Sequence, residues 1–329
     1  MKIMVKKGGP LTTLQDTGRY GFQKYGVLVS GAMDLFSLKL GNILVGNKES
    51  EGALEMTMSG PFLQVPAGLI FALTGADLGA KLGGKPVPRN RAVYVKKDST
   101  LSFGFAAEGA RGYLTVAGGF AVPMVMDSKS TYLRAKIGGV NGEPLQDNTE
   151  LSTGVLSPEQ ERFAAELSRQ SGTPFASMGW SVPNQDLFST QPIRVTEGLQ
   201  ADWFTPDTLQ IFFTSPYTIT PQSDRMGYRL RGVTLPYKED NLELISEPVS
   251  FGSIQVPADG NPIILMADRQ TTGGYAKIGQ VIQADLPRLA QMKPGGTVYF
   301  APANLTQAEN ALAKQEAFLE QVRQMVKRS

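Results

Sequence analysis

The 329-residue chain is predicted to be mainly β, as two β-rich domains of barrel or sandwich type that echo one another as a duplication would, with a few short helices and a C-terminal helix. Three observations predict it. Its 36 glycines and 21 prolines interrupt the sequence every few residues, which favours many short strands over long helices. Its apolar runs are short, as in Leu69–Leu73 and Pro262–Met266, the length of a buried strand. Two motifs also recur at one constant offset. Gln64-Val65-Pro66-Ala67 returns as Gln255-Val256-Pro257-Ala258, and Ala76-Asp77 returns as Ala267-Asp268, with an apolar run between them in both copies. Ser30 and Met33 are echoed by Ser223 and Met226 at a slightly different offset.

Taken in order, residues 1–150 form the first expected domain. Asp16-Thr17-Gly18 has turn chemistry. Asp34 then caps a helix whose Leu35, Leu38 and Ile43 share one face, and Gly46-Asn47 ends it. Short strands follow at Phe62–Val65, Leu69–Leu73, Arg91–Val95, Leu101–Phe105 and Tyr113–Val116, and the glycine-rich Ser130–Leu145 stretch is expected to be a loop. Residues 151–192 read as a linker containing one helix. Ser157 and Gln160 have the layout of a capping box, with Pro158 at the first helical position, and the helix is expected to run to Arg169. A second β-rich domain spans 193–303. The tail, 304–329, is expected to be helical from Leu305 to Lys327, capped by Thr306 and Glu309. Its stripe of Leu312, Phe318, Leu319, Val322 and Val326 suits packing on its own domain, or on a partner.

Composition excludes several function classes. A formal net charge of +2 from 32 basic and 30 acidic residues gives no reason to expect nucleic acid or an anionic membrane as a partner. With no cysteine and no histidine, the chain lacks thiolate chemistry, the usual neutral-pH base and the commonest metal ligand. A serine-hydrolase triad and an ordinary zinc site are therefore excluded, and no metal site is expected. One subunit whose partner supplies the missing groups would fit. The N-terminus lacks the apolar core of a signal peptide, and no apolar run is long enough to cross a bilayer, so a soluble cytoplasmic protein is expected.

The polar clusters are where chemistry could reside. In the first half they are Gln15-Asp16 with Arg19, Ser30–Asp34, Glu55 and Thr74–Asp77. Ordinary turn and cap roles account for Asp16, Asp34 and Asp77. The second half is denser, with Ser223–Arg229, Glu247 and Asp268–Lys277. Arg225 and Arg269 can each grip a carboxylate or phosphate with a planar fork. Thr271, Thr272 and the Gly273 and Gly274 amides can line an anion-binding concavity, with Lys277 as a point charge. Asp268 or Glu247 can serve as base or polarise an amide N–H. Neither a Walker A loop nor a dinucleotide fingerprint is present.

The strings TLQDTGR, SGAMD, RGYLTVAGG and SDRMGYRLRG, with the long Ser246–Leu286 segment, resemble the allophanate hydrolase subunit 2 family. This family is also described as the biotin-dependent carboxyltransferase, KipA-like family. The resemblance covers nearly all of the chain outside 151–192. It implies two cyclophilin-like β-barrels and a composite site shared with a KipI-like partner. The family includes the C subunit of the bacterial 5-oxoprolinase. With the A subunit and the KipI-like B subunit, that protein converts 5-oxoproline to L-glutamate at the expense of ATP, with magnesium.

On that basis Asp268, Arg269, Gln270 and Glu247 are expected to be catalytic. Arg225, Thr271, Thr272 and Glu55 are expected to bind the amide substrate, and Gly273, Gly274 and Lys277 the nucleotide. Two other family roles are carboxyl transfer from biotin to urea or a related amide, and regulation by opposing a histidine-kinase inhibitor. These residues include no biotin carboxylase segment and no biotinyl-lysine motif. Ala276 stands where the family usually has proline, and Glu143 where a basic residue is common, so the loop around Glu143 is given no binding role.

Overall fold

The computed structural model describes residues 1–183, 187–239 and 242–328; residues 184–186 of the expected linker lie outside these. The fold is mainly β, with five α-helices among the described residues. It comprises two compact units that are discontinuous in sequence. The first contains residues 1–19, 34–188 and 317–329, and the second contains 20–33 and 189–316.

The first unit holds two six-stranded sheets. In one, Lys2–Lys7 lies between Glu150–Ser152 and Phe62–Val65, and Ser99–Ser102 follows. In the other, Ile70–Asp77 pairs with both Ala92–Val95 and Glu108–Val116, and Ala53–Thr57 and Thr12–Gln15 extend that order. Successive side chains point to opposite faces, so Leu63, Val65, Leu101, Phe71, Leu73 and Leu114 enter one core, while Ile70 and Ala72 enter another.

The Leu35–Leu44 helix begins where its cap predicts, with Asp34 Oδ1 accepting from the Ser37 amide at 2.8 Å. The expected loop at Ser130–Leu145 is anchored from the N-terminal turn. Asp16 accepts from the Gly18 amide at 2.8 Å and from the Lys129 amide at 2.6 Å, while fully buried Arg19 donates to Ser130 O at 2.7 Å.

The stretch expected as a linker contributes to the first unit. Phe175–Ser177 pairs with Ala92–Val95, and the Pro158–Arg169 helix carries the expected capping box. Its Gln160 has a second job. Besides closing on Ser157, its Nε2 donates to Val45 O and Asn47 Oδ1, both at 2.8 Å, which ties the helix to the end of Leu35–Leu44. The last helix spans Leu305–Arg328, and its cap differs from expectation. Asn304 and Gln307 make the reciprocal bonds, at 2.8 and 2.9 Å, in place of Thr306 and Glu309. Asparagine is the stronger N-cap, and it lies immediately before the first helical residue. Leu319 and Val322 are buried in the first unit, with Phe318 stacked on Phe36 at 6.1 Å.

The second unit is built on an eight-stranded sheet. Its order is Thr297–Val298, Tyr217–Ile219, Gly227–Arg231, Ile263–Leu265, Ser253–Val256, Ala276–Val281, Ile193–Glu197 and Phe300–Pro302. The two edge strands are separated in the chain only by Tyr299, so the edges are brought together and the sheet nearly closes into a barrel. Its interior is filled by Val195, Ile254, Ile264, Ile278 and Phe300, among others.

The two sequence echoes occupy comparable strand ends but pair differently. Ser253–Val256 and Ile263–Leu265 are neighbours, whereas Phe62–Val65 and Ile70–Asp77 lie in different sheets. Among the described residues no helix is long and apolar enough to cross a membrane.

Replacing Ser157 by Ala is expected to cost about 1 kcal/mol, and Gln160→Ala about 2–3 kcal/mol because buried Gln160 makes more bonds. Urea denaturation measures both. Equal losses would contradict the tie from Gln160 to the preceding helix.

Candidate functional site

The site begins with strand register in the second unit. Gly227 pairs with Leu265, so the residues before Gly227 and after Leu265 emerge at the same end of the sheet. The Met266 amide donates to Met226 O at 3.0 Å and the Asp268 amide to Arg225 O at 2.7 Å, which continues the pairing beyond the strands. Asp224 shapes the turn by accepting from the Met226 amide at 2.8 Å.

This backbone places Arg225 against Asp268. Arg225 Nε donates to Oδ2 at 2.9 Å and Nη2 to Oδ1 at 3.1 Å, a two-pronged contact between groups only 7% and 6% exposed. Nη2 also donates to Gly31 O at 2.6 Å, which fixes the 20–33 segment to the same point.

The next three residues are different. The Arg269 guanidinium is partly buried, lies 5.7 Å from the Phe251 ring centroid and forms no ion pair among the described residues. Its Nε is buried without a hydrogen-bond partner. Burial lowers its pKa, while Tyr20 and Asp268 act in the opposite direction. The side chains of half-buried Gln270 and Thr271 likewise make no hydrogen bond among the described residues. A cation, an amide and a hydroxyl therefore follow Asp268 without a side-chain hydrogen bond to any of the described residues.

A second cluster lies on Glu247–Pro248, which pairs with Thr272–Gly273. The Glu247 carboxylate pairs with Lys277 Nζ and accepts from Gln200 Nε2 at 2.7 Å, while Gln200 Oε1 accepts from the Lys277 amide at 3.1 Å. The Lys277 hydrogen bond is the largest influence holding Glu247 below the usual carboxylate range; burial opposes it and Gln200 assists. A β-carbon on Gly273 would lie 2.5 Å from Gln255 Nε2, so a larger residue here would have to displace the end of that side chain. Neither Gly273 nor Gly274 has a positive φ, so the pair lacks the left-handed step from which an anion-binding nest is made.

The structure thus separates the predicted residues by what already occupies them. Arg225 is held by Asp268 and Gly31, and Lys277 by Glu247, whereas Arg269, Gln270 and Thr271 remain available. Thr272 is exposed on its strand. Glu55 belongs to the first unit, where it is buried and accepts from Tyr113 Oη at 2.7 Å; that oxygen accepts in turn from the Asp34 amide at 2.8 Å. Burial, followed by Glu55 and Asp34, pushes the Tyr113 hydroxyl well above its ordinary pKa. Gln200 is the member that sequence reasoning missed. It lies far from the motifs in the chain, and no periodicity or neighbouring cluster marks it. Among the described residues no group of three carboxylates could hold a metal.

Residues 25–302 match the family described as carboxyltransferase domain, subdomain A and B. The chain is 39% identical to the C subunit of 5-oxoprolinase from Haemophilus influenzae, over 95% of both chains, and 35% identical to that from Escherichia coli, over 97% of both. Among solved structures, the urea amidolyase of Kluyveromyces lactis matches with a TM-score of 0.85 and 28% identity. That match covers 98% of this chain and 20% of the amidolyase.

Because Glu247 has a lower pKa folded than unfolded, the stability it contributes is complete above the unfolded carboxylate value of about 4.3 and is lost as pH falls through the folded value. Thermal melts of wild type and Glu247→Gln should therefore differ near neutral pH and converge in buffer acid enough to protonate the folded carboxylate. A difference that persists into acid would contradict the pairing with Lys277.

Proposed function

The chain belongs to the carboxyltransferase domain family of subdomains A and B, and we propose that it acts as the C subunit of a 5-oxoprolinase, within a hydrolase complex that opens 5-oxoproline to L-glutamate. The end-to-end likeness to two proteins of that name supports this. The structural observation that carries it is Arg269, a partly buried cation with no anionic partner among the described residues, followed by the unbonded Gln270 and Thr271. 5-Oxoproline has a carboxylate and a planar lactam. The carboxylate pairs with Arg269, and Gln270 and Thr271 bond the lactam N–C=O. Asp268, oriented by Arg225, keeps a second lone pair on each oxygen and can accept from the lactam N–H. Hydrolysis breaks the ring C–N bond and adds water, leaving the new carboxyl and amine on glutamate.

The two units are read as the cyclophilin-like pair of barrels. The KipI-like B subunit and the A subunit of 5-oxoprolinase complete the complex. ATP is assigned to those partners. Gly273, Gly274 and Lys277 do not fit a phosphate cradle, because the glycines lie in or beside a strand and the buried lysine charge is already matched by Glu247. No step through the nucleotide is assigned to this chain.

Carboxyl transfer from biotin to urea is the second possibility, favoured by the likeness to a urea amidolyase. Urea also presents N–C=O, so Asp268, Gln270 and Thr271 would serve either substrate. 5-Oxoproline brings its own carboxylate to the cation, whereas under the second reading the carboxylate carried on biotin would take that place.

Mixing the chain with its A and B partners should give glutamate that depends on both ATP and 5-oxoproline. No turnover, with transfer from biotin to urea instead, would replace the first proposal by the second. Arg269→Met should raise KM for 5-oxoproline at least about tenfold, equivalent to the 1.5–3 kcal/mol typical of a charged hydrogen bond. Because it removes a desolvated and unpaired charge, Tm should hold or rise. Unchanged KM would remove Arg269 from the site.

A further inference from the structure

One residue outside the groups used above combines two unfavourable features. Ser30 is 4% exposed, and its hydroxyl oxygen is buried without a hydrogen-bond partner among the described residues. Its φ is 56°, in the left-handed region that serine rarely adopts, and Gly31 follows at 88°. A buried unbonded hydroxyl and a left-handed side-chain-bearing residue each cost free energy. Glycine at this position would avoid both costs.

The segment is not loose. Leu28, Val29 and Ala32 are buried, and Met33 packs into the core of the second unit with Ile193 and Val195. Gly31 O accepts from Arg225 Nη2 at 2.6 Å, while the other bonds of Arg225 fix Asp268. Ser30 is therefore held one residue from the carbonyl that meets the Arg225–Asp268 pair. Strain of this kind persists where the surrounding structure over-determines it, and it clusters at ligand sites.

We infer that Ser30 is a substrate-binding residue whose hydroxyl bonds the N–C=O group of a small amide bound beside Arg225 and Asp268. This rests on the amide-processing function proposed above. A hydroxyl both donates and accepts, so it matches either the amide oxygen or the N–H. The oxygen is closed to solvent in this structure, so binding there requires the neighbouring side chains to part, and a bond formed there is shielded from competing water.

The test compares wild type, Ser30→Ala and Ser30→Gly in the reconstituted complex, with thermal melts of each chain. Both variants should lose at least tenfold in kcat/KM for 5-oxoproline, mainly through KM. Ser30→Gly should melt at or above the wild-type temperature, which separates a lost contact from a damaged fold. Wild-type kcat/KM in Ser30→Gly would overturn the inference, as would a loss of activity explained by a lower melting temperature in that variant. If wild type itself does not turn over 5-oxoproline, the 5-oxoprolinase assignment fails and the Ser30 inference is read from binding. Calorimetry with urea at millimolar concentration, too dilute to denature, should then show tighter binding to wild type than to Ser30→Gly. Equal affinities, or no binding to either, would overturn it.

Discussion

The candidate site in the second unit depends on a buried ion pair. Arg225 and Asp268 lie beyond the same end of one strand pairing, and the guanidinium also grips the Gly31 carbonyl, 194 residues earlier in the chain. With both charges almost fully withdrawn from water, losing either partner would leave the other stranded, at a cost of about 3–5 kcal/mol. The pair therefore sets the positions of three separate segments at once. Asp268 fixes the start of the Arg269–Thr271 run, and Gly31 fixes the segment that carries Ser30.

Charge matching divides the cations around this point. Arg225 is matched by Asp268 and Lys277 by Glu247, so both belong to the frame. Arg269 has the Phe251 ring and no carboxylate among the described residues. A ring face recovers only about 0.5–2 kcal/mol of the hydration a guanidinium loses on burial. An anion brought by a substrate would complete the match. In the 5-oxoprolinase reading that anion is the carboxylate of the amide substrate itself.

Local structure was legible where a few adjacent residues decide it. Asp34 and the Ser157–Gln160 box start their helices as their side chains dictate, and the Phe62–Val65 strand has the expected bounds. The cap at Asn304 was missed because Thr306 and Glu309 offer the same chemistry two residues later. The site was legible as a list of polar residues, but their occupancy was not. Nothing in the spacing of Arg225, Arg269 and Lys277 indicates which charges are already paired, since the partners come from other strands. The membership of residues 20–33 in the second unit has the same origin: it depends on Met33 finding a core built from residues beyond 190.

Whether Arg269 receives the carboxylate of the amide substrate is tested most directly by a crystal structure of the assembled complex with 5-oxoproline. The substrate carboxylate should lie within hydrogen-bond distance of the Arg269 guanidinium, with its lactam toward Asp268 and Gln270. A carboxylate bound elsewhere, with Arg269 still unpaired, would contradict it.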